Sequence, residues 1–231
     1  MSRRPTTAPS HSLFRGLIVA FAFVLGCQAL WILAAEFSRP TFAGFPANAK
    51  SDADANRNAA ALAASFGYIR GDLWADYALT YIDLIRRSER DSANAQTSEM
   101  MERAREIADR ALAFAPYDAR VWLALAGIDS RFDWINHRPL AALRMSFYTG
   151  ANEIELIPSR LLLAVSAQAI ADSDFQQLVR HDIRNIVIRK PDLKPAIVAA
   201  YRDALPVGQK FIEETLEEVD PSLLAKLRSK E

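Results

Sequence analysis

A cluster of four acidic side chains near the carboxyl end of the chain has the residue type that acid–base chemistry requires. The acids share one face of a predicted helix and are Glu213, Glu214, Glu217 and Glu218. A pair of such carboxylates can cleave a glycosidic bond. Four acids opposite an apolar stripe are, however, also the pattern of a solvated helix face. The sequence has neither a G-x-S-x-G motif nor a glycine-rich phosphate loop. We therefore expect that the protein is not an enzyme, with a glycan-cleaving enzyme as the alternative.

The sequence does not indicate a metal, a cofactor or a nucleic acid as a ligand. His11, His137 and His181 lie in separate segments, without the short spacing that brings two histidines to one zinc ion. The formal net charge is zero, and residues 51–231 carry 23 basic and 27 acidic side chains. Because nucleic-acid-binding domains carry an excess of basic residues, we expect no nucleic-acid partner, and we also expect no metal site and no cofactor.

Two groups of side chains are candidates for binding. The first group is basic and can meet an anionic sugar or lipid headgroup, with a solvated surface as the alternative because Asp182 interrupts it; it comprises Arg180, Arg184, Arg189 and Lys190. The second group is aromatic and cationic and is the candidate for binding a protein partner; it comprises Tyr77, Tyr81, Trp122, Trp134 and Arg138. The alternative for the aromatic residues is packing between helices, since tyrosine and tryptophan also fill protein cores.

An apolar segment near the amino end decides where all of these side chains lie. Residues 17–35 contain no charged side chain, and ten of the nineteen are Leu, Ile, Val or Phe. As a helix this segment is about 29 Å long, close to the thickness of a bilayer's hydrocarbon core. Three basic side chains and no acid precede it: Arg3, Arg4 and Arg15. We predict a transmembrane helix over residues 17–36 in a bacterial inner membrane. Residues 1–16 are then cytoplasmic and the bulk of the chain is periplasmic, because short positive flanks stay inside.

Three other structures are compatible with an apolar segment of this length. A cleaved signal peptide has a shorter apolar region of about 7–15 residues and a small-x-small site close behind it, whereas Ala47 and Ala49 lie too far away. A lipoprotein needs a small residue where Leu25 precedes Gly26 and Cys27, and its chain turns polar after the cysteine. A buried core helix is usually amphipathic, and this segment is apolar on all sides. A membrane anchor fits best.

The chain after the anchor reads as a linker and one helical domain. Residues 37–51 contain Pro40, Gly44 and Pro46 without periodicity, which predicts a linker that lifts the domain off the membrane surface. Over residues 52–231 apolar side chains recur at helical spacing, and no stretch alternates with the period of a strand. The polar residues 88–96 break the helical pattern. We therefore predict an all-α periplasmic domain built of helical hairpins.

A spacing of small residues and tryptophans within residues 52–126 resembles the tetratricopeptide repeat. Alanines at 104, 108 and 111 and Pro116 follow the pattern A-x3-A-x2-A-x4-P, and Trp122 begins the next unit as W-x2-L-A. Trp74-x2-Tyr77-Ala78 is similar to another first helix. The two tryptophans are 48 residues apart, which is one period of about 34 residues plus roughly 14 more, and residues 88–96 are the place for the insertion. The resemblance weakens after Asp129 and Arg138, which replace the usual aromatic and small residues.

The resemblance implies a stack of hairpins whose concave surface holds a peptide or helix of a partner. Residues 143–150, with Asn152 and Glu153, also resemble a segment of helical, membrane-anchored proteins encoded among exopolysaccharide biosynthesis genes. Together these features predict a membrane-anchored periplasmic scaffold that binds protein partners in envelope or exopolysaccharide biosynthesis and export. The alternative among binding proteins is a chaperone-like accessory factor of secretion or cytochrome maturation.

Overall fold

The computed structural model describes residues 9–39, 53–91, 95–132, 138–166 and 168–228. Every regular element in these ranges is helical, as the sequence predicts. Short 3-10 turns precede α7, α8 and α9. The α-helices, in chain order, are α1 Pro9–Phe37, α2 Ala53–Phe66, α3 Gly71–Asp91, α4 Ala95–Phe114, α5 Ala119–Phe132, α6 Arg138–Thr149, α7 Ile157–Val165, α8 Ser173–Arg189, α9 Lys194–Asp203, α10 Pro206–Val219 and α11 Pro221–Arg228.

The first helix, α1, contains the predicted apolar segment and begins eight residues before it. Its part from Leu13 to Phe37 is 25 residues long with a mean hydropathy of 2.4, and none of its most apolar window is buried in the protein. By length and composition α1 is therefore able to cross a membrane, a property that it shares with signal sequences.

The last turns of α1 pack against the hairpin formed by α2 and α3. Ala35 of α1 is buried together with Ala63 and Ala64 of α2 and Leu73 of α3. Small side chains at these positions let the helix backbones approach closely. Arg39 of the predicted linker also contacts the domain, and residues 40–52 fall outside the described ranges.

Two further hairpins, α3 with α4 and α5 with α6, have the most extensive helix–helix contacts of the described chain. Ala104, Ala108 and Ala111 are almost completely buried between α4 and its neighbours. The predicted break at residues 88–96 is wrong over most of its length, because α3 continues to Asp91 and α4 begins at Ala95. The Arg, Glu, Gln and Ala residues of this segment are good helix formers despite their polarity, so the additional residues lengthen both helices.

The turns between these helices lie side by side at one end of the hairpins. A Cβ atom placed on Gly71 would lie 2.5 Å from the Cβ of Ala115 and 2.8 Å from its backbone nitrogen. A Cβ atom on Gly150 would lie 2.4 Å from the Cβ of Ala119. The turns at residues 67–70, 115–118 and 150–153 therefore share one edge of the domain, which we call the turn edge.

A buried arginine joins the hairpins to the carboxyl-terminal helices. Arg160 on α7 is fully buried, and its two terminal nitrogens donate hydrogen bonds to the carbonyl oxygens of Ser146, Gly150 and Glu153 at 3.3, 3.0 and 2.9 Å. Its Nε lies 3.5 Å from a carboxylate oxygen of Asp182 on α8. Burial raises the pKa of Asp182 to about 7, and the charge of Arg160 offsets only part of this effect.

The contact at Gly71 can be tested against a second glycine that has free space around it. We expect Gly71→Ala to lower the free energy of unfolding by about 1–3 kcal/mol, because the backbone of Ala115 must move to admit the methyl group. Gly127 lies inside α5, and the nearest atom to a Cβ there is 3.9 Å away. Gly127→Ala should therefore raise the stability by about 0.5–1 kcal/mol. Denaturant unfolding of the full chain in detergent measures both, and equal effects would contradict the close approach.

The buried carboxyl of Asp182 should make stability depend on pH in a defined window. Its pKa is about 7 in the folded chain and about 4 when unfolded. The folded state therefore binds more protons between these values, and this carboxyl makes the free energy of unfolding fall as the pH rises from about 4 to 7.

We expect Asp182→Asn to remove this component, so that its stability relative to the wild type increases steadily across that window. Other groups titrate in both proteins and cancel in the difference. The control is Asp174→Asn, at an exposed position of the same helix, which should keep the wild-type slope. Urea unfolding followed by circular dichroism at several pH values measures the slopes, and an unchanged slope in Asp182→Asn would refute the assignment.

Candidate functional site

The contact between α1 and the domain is held by a network of charged side chains. Arg39, two residues after α1, donates a hydrogen bond from Nε to Asp76 of α3 at 2.6 Å. Arg70 donates to Glu36 of α1 at 2.9 Å. Arg120 of α5 lies 3.5 Å from the other carboxylate oxygen of Asp76. The network therefore connects α1, the α2–α3 hairpin and α5 through one acidic side chain.

Asp76 is the buried centre of this network. Its side chain is 5% exposed, whereas those of Arg39 and Arg120 are about one-third exposed. Burial raises the pKa of Asp76 above its ordinary value, and the hydrogen bond from Arg39 opposes that rise. A buried carboxylate without a cation is unfavourable by several kcal/mol. Asp76 of α3 therefore holds the guanidinium of Arg39 beside its carboxylate.

A tryptophan near the end of the apolar helix forms a further contact between α1 and the hairpin. Trp31 donates a hydrogen bond from its indole nitrogen to the carbonyl oxygen of Phe66, the last residue of α2, at 2.7 Å. The two rings also meet edge to face, with 5.7 Å between their centres. α2 therefore runs antiparallel to α1, and its carboxyl end points toward the amino end of α1.

The two tryptophans that mark the predicted repeat have equivalent positions in the structure. Trp74 is the fourth residue of α3 and donates a hydrogen bond to the carbonyl of Tyr68, six residues earlier, at 3.1 Å. Trp122 is the fourth residue of α5 and donates to the carbonyl of Pro116, also six residues earlier, at 2.8 Å. Each indole therefore closes the turn that precedes its own helix, and each is half-buried.

The predicted partner-binding tyrosines stack along α3. The rings of Tyr77 and Tyr81 lie 5.6 Å apart, and Tyr77 also neighbours Trp74 at 6.3 Å. Burial and the hydrogen bond with Tyr81 raise the pKa of Tyr77 to about 12, so it stays neutral at physiological pH. Tyr81 is only 8% exposed. Of these two tyrosines, Tyr77 is therefore the one whose side chain a partner can contact.

Arg138, the remaining described member of the partner-binding group, is the exposed first residue of α6. Its Nε lies 3.9 Å from Asp129 of α5, which is itself buried and also accepts a hydrogen bond from Arg105 of α4. Asp129, an acid where the repeat pattern has an aromatic residue, thus pairs with two cations. Trp134 lies outside the described residues, and no contact joins Arg138 to Tyr77 or Trp122.

The structure divides the basic group into two parts. The guanidinium of Arg180 lies 5.5 Å from the ring centre of Phe211, and Arg184 forms an ion pair with Glu218 at 3.2 Å. Arg189 and Lys190, at the end of α8, are both exposed. Only this second pair presents its charges to the solvent without a described acidic partner, so the four side chains do not converge on one anion.

The acidic group is likewise distributed among partners. Glu213 accepts hydrogen bonds from Arg228 at 2.5 Å and from Tyr201 at 2.7 Å. These hydrogen bonds, that of Arg228 first, lower the pKa of Glu213, whereas a general acid for glycoside cleavage needs a raised pKa. Glu214 lies 3.8 Å from Lys210. The residues that the structure describes contain no group of three His, Cys, Asp or Glu side chains placed to hold a metal ion.

Several large, exposed side chains lie on the turn edge. Tyr68 and Ile69, in the turn between α2 and α3, are 61% and 76% exposed. Tyr117, in the turn between α4 and α5, is 81% exposed. The sequence alone does not single out these residues, nor Trp31, Arg39 and Asp76. A signal for the charged pair exists, since Asp76 interrupts the apolar face of α3, but its partner 37 residues earlier cannot be inferred from spacing.

Comparison with protein-family models, with curated protein sequences and with solved structures finds no match to this chain. A functional assignment therefore depends on the chain's own residues and geometry.

Proposed function

We propose that this chain is a membrane-anchored scaffold, in which α1 spans the membrane and the helical hairpins hold a protein partner close to its surface. The observation that carries the proposal is the division of α1 into two parts. Its apolar length is exposed on all sides, as a helix surrounded by lipid is, whereas Ala35 at its end belongs to the core of the α2–α3 hairpin. The packing of Ala35 thus fixes the position of the domain relative to the apolar part of α1.

The same packing supports a retained anchor over a cleaved signal sequence. Removal of the chain up to Ala49 would uncover Ala63, Ala64 and Leu73, which are now fully buried. It would also remove Arg39, the cation nearest to the buried Asp76. Both changes would destabilise the domain, which supports an α1 that stays attached. The arginines before the apolar segment favour a cytoplasmic amino terminus and a periplasmic domain.

The arrangement of the hairpins supports protein binding as the activity. α3–α4 and α5–α6 are consecutive hairpins whose first helices begin with equivalent tryptophans. On this basis we propose a tetratricopeptide-like stack, in which the first helices would line the binding surface. Tyr77, Trp122 and Arg138 are the described side chains through which we propose that it contacts its partner. The faint sequence resemblance of residues 143–153 is the basis for proposing that this partner belongs to exopolysaccharide assembly machinery.

Retention of the anchor can be tested with tags at both ends of the full chain. We expect a tag before Met1 and a reporter after Glu231 to remain on one polypeptide that resists extraction by alkaline carbonate. A phosphatase reporter after Glu231 should be active, and a fluorescent protein that folds only in the cytoplasm should be dark. Loss of the amino-terminal tag would instead identify α1 as a cleaved signal sequence, and a bright cytoplasmic reporter would invert the orientation.

Partner binding can be tested with photoreactive amino acids in native membranes. We expect a probe at Trp122 to form a discrete adduct with one partner protein, and the additional substitution Arg138→Glu to reduce its yield severalfold because the cation is exposed. Arg202→Glu, at an exposed position on α9, is the matched control and should leave the adduct unchanged. A probe at Asp109 on α4 should give no adduct. Equal adducts at positions 109 and 122, or none at 122, would contradict the proposed surface.

A further inference from the structure

We propose that the turn edge rests on the lipid bilayer, with its aromatic side chains inserted among the lipid headgroups. The proposal rests on the proposed function in one respect, because α1 must span the membrane. It goes further by assigning a second membrane contact to the folded domain itself. A domain held in this way has one fixed face toward the lipid, in contrast to a domain lifted off the surface by a linker.

The depth of the turn edge follows from its contact with α1. Trp31 precedes Glu36, the first charged residue after the apolar segment, by five residues, which is about 7 Å along a helix. The carbonyl of Phe66 bonds to the indole of Trp31, so the end of α2 lies at that depth. Arg70 and Asp76 then meet Glu36 and Arg39 in turn, which shows that α3 runs back away from the membrane. The turn at residues 67–70 is consequently the part of the hairpin that lies deepest.

The side chains at this tip suit the membrane interface and not water. Tyr68 and Ile69 point outward and are more than half exposed in the protein alone. The guanidinium of Arg110 lies 4.8 Å from the ring centre of Tyr68 and 4.2 Å from that of Trp74. Aromatic rings with a polar end, beside cations, are enriched where headgroups meet hydrocarbon. Burying Ile69 there removes an exposed large aliphatic side chain from water.

The apolar surface continues from this tip along the turn edge. The close approach of Gly71 to Ala115 places the turn at 115–118 directly beside the first turn. Tyr117 projects from this second turn and Phe114 from the end of α4, where its ring meets that of Tyr68 at 6.4 Å. Tyr148 is exposed near the end of α6, beside the third turn. These aromatic side chains form a row that begins beside α1 and continues along the turn edge. Because the row is continuous with α1, we assign lipid as what covers it.

The position of individual side chains relative to lipid provides the test. In the full chain with Cys27→Ser, single cysteines replace Ile69, Tyr117, Ile188 or Phe21 and carry an environment-sensitive fluorophore. Ile188 on α8 is 72% exposed and lies outside the turn edge, so it is the matched control, and Phe21 reports on the middle of α1. The chains are reconstituted in vesicles of phosphatidylethanolamine and phosphatidylglycerol, with or without spin-labelled lipid.

We expect blue-shifted emission and a loss of emission to spin-labelled lipid at positions 21, 69 and 117, with neither change at 188. If position 21 loses emission while 69 and 117 behave like 188, the turn edge does not touch the bilayer although the anchor stands. If position 21 is not quenched, the anchor itself fails and the present proposal fails with it. A blue shift at 69 and 117 without quenching would show that protein, such as a second copy of this chain, covers the edge and would overturn the lipid assignment.

Discussion

The junction at Ala35 and Arg39 is the constraint on which the rest of the structure depends. A helix that only crosses a membrane needs no contact with the domain that follows it, whereas α1 contributes both an apolar and an ionic contact. Ala35 packs among small side chains, and Arg39 compensates the buried carboxylate of Asp76. Without Arg39, Arg120 at 3.5 Å is the cation that remains near Asp76 among the described residues. Folding of the α2–α3 hairpin and its packing against α1 are therefore coupled. The contacts that stabilise the domain also fix its orientation relative to α1.

Arg160 has the corresponding role for the carboxyl-terminal helices. The last carbonyl groups of a helix have no partner within it and carry a partial negative charge. Arg160 donates to the carbonyls of Ser146 and Gly150 at the end of α6 and to that of Glu153 in the following turn. Because these backbone oxygens already receive its terminal nitrogens, Arg160 offers Asp182 only its Nε at 3.5 Å, a weak compensation that leaves the pKa of Asp182 raised.

The sequence predicts the helices and the apolar span because both follow from local periodicity and length. It also predicts the small residues of α4, since Ala104, Ala108 and Ala111 face a neighbouring helix in the structure. It cannot predict the ion pairs of Asp76 and Asp182, because these two acids look like ordinary polar interruptions and their partners are distant in the chain. The lengths of α3 and α4 escape prediction for the opposite reason: the polarity of residues 88–96 suggests a break, although the same residues favour a helix.

The two hairpins are alike at one end and different at the other, and this asymmetry agrees with a membrane at the turn edge. Trp74 and Trp122 close their preceding turns in the same way, so these ends are matched. In contrast, α3 has 21 residues and α5 has 14, which makes the first hairpin about 10 Å longer at its far end. A flat lipid surface constrains the ends that touch it and leaves the opposite ends free to differ in length. Within the domain this alignment comes from the close approaches of Gly71 to Ala115 and of Gly150 to Ala119, so a flat lipid surface can meet the aligned ends together.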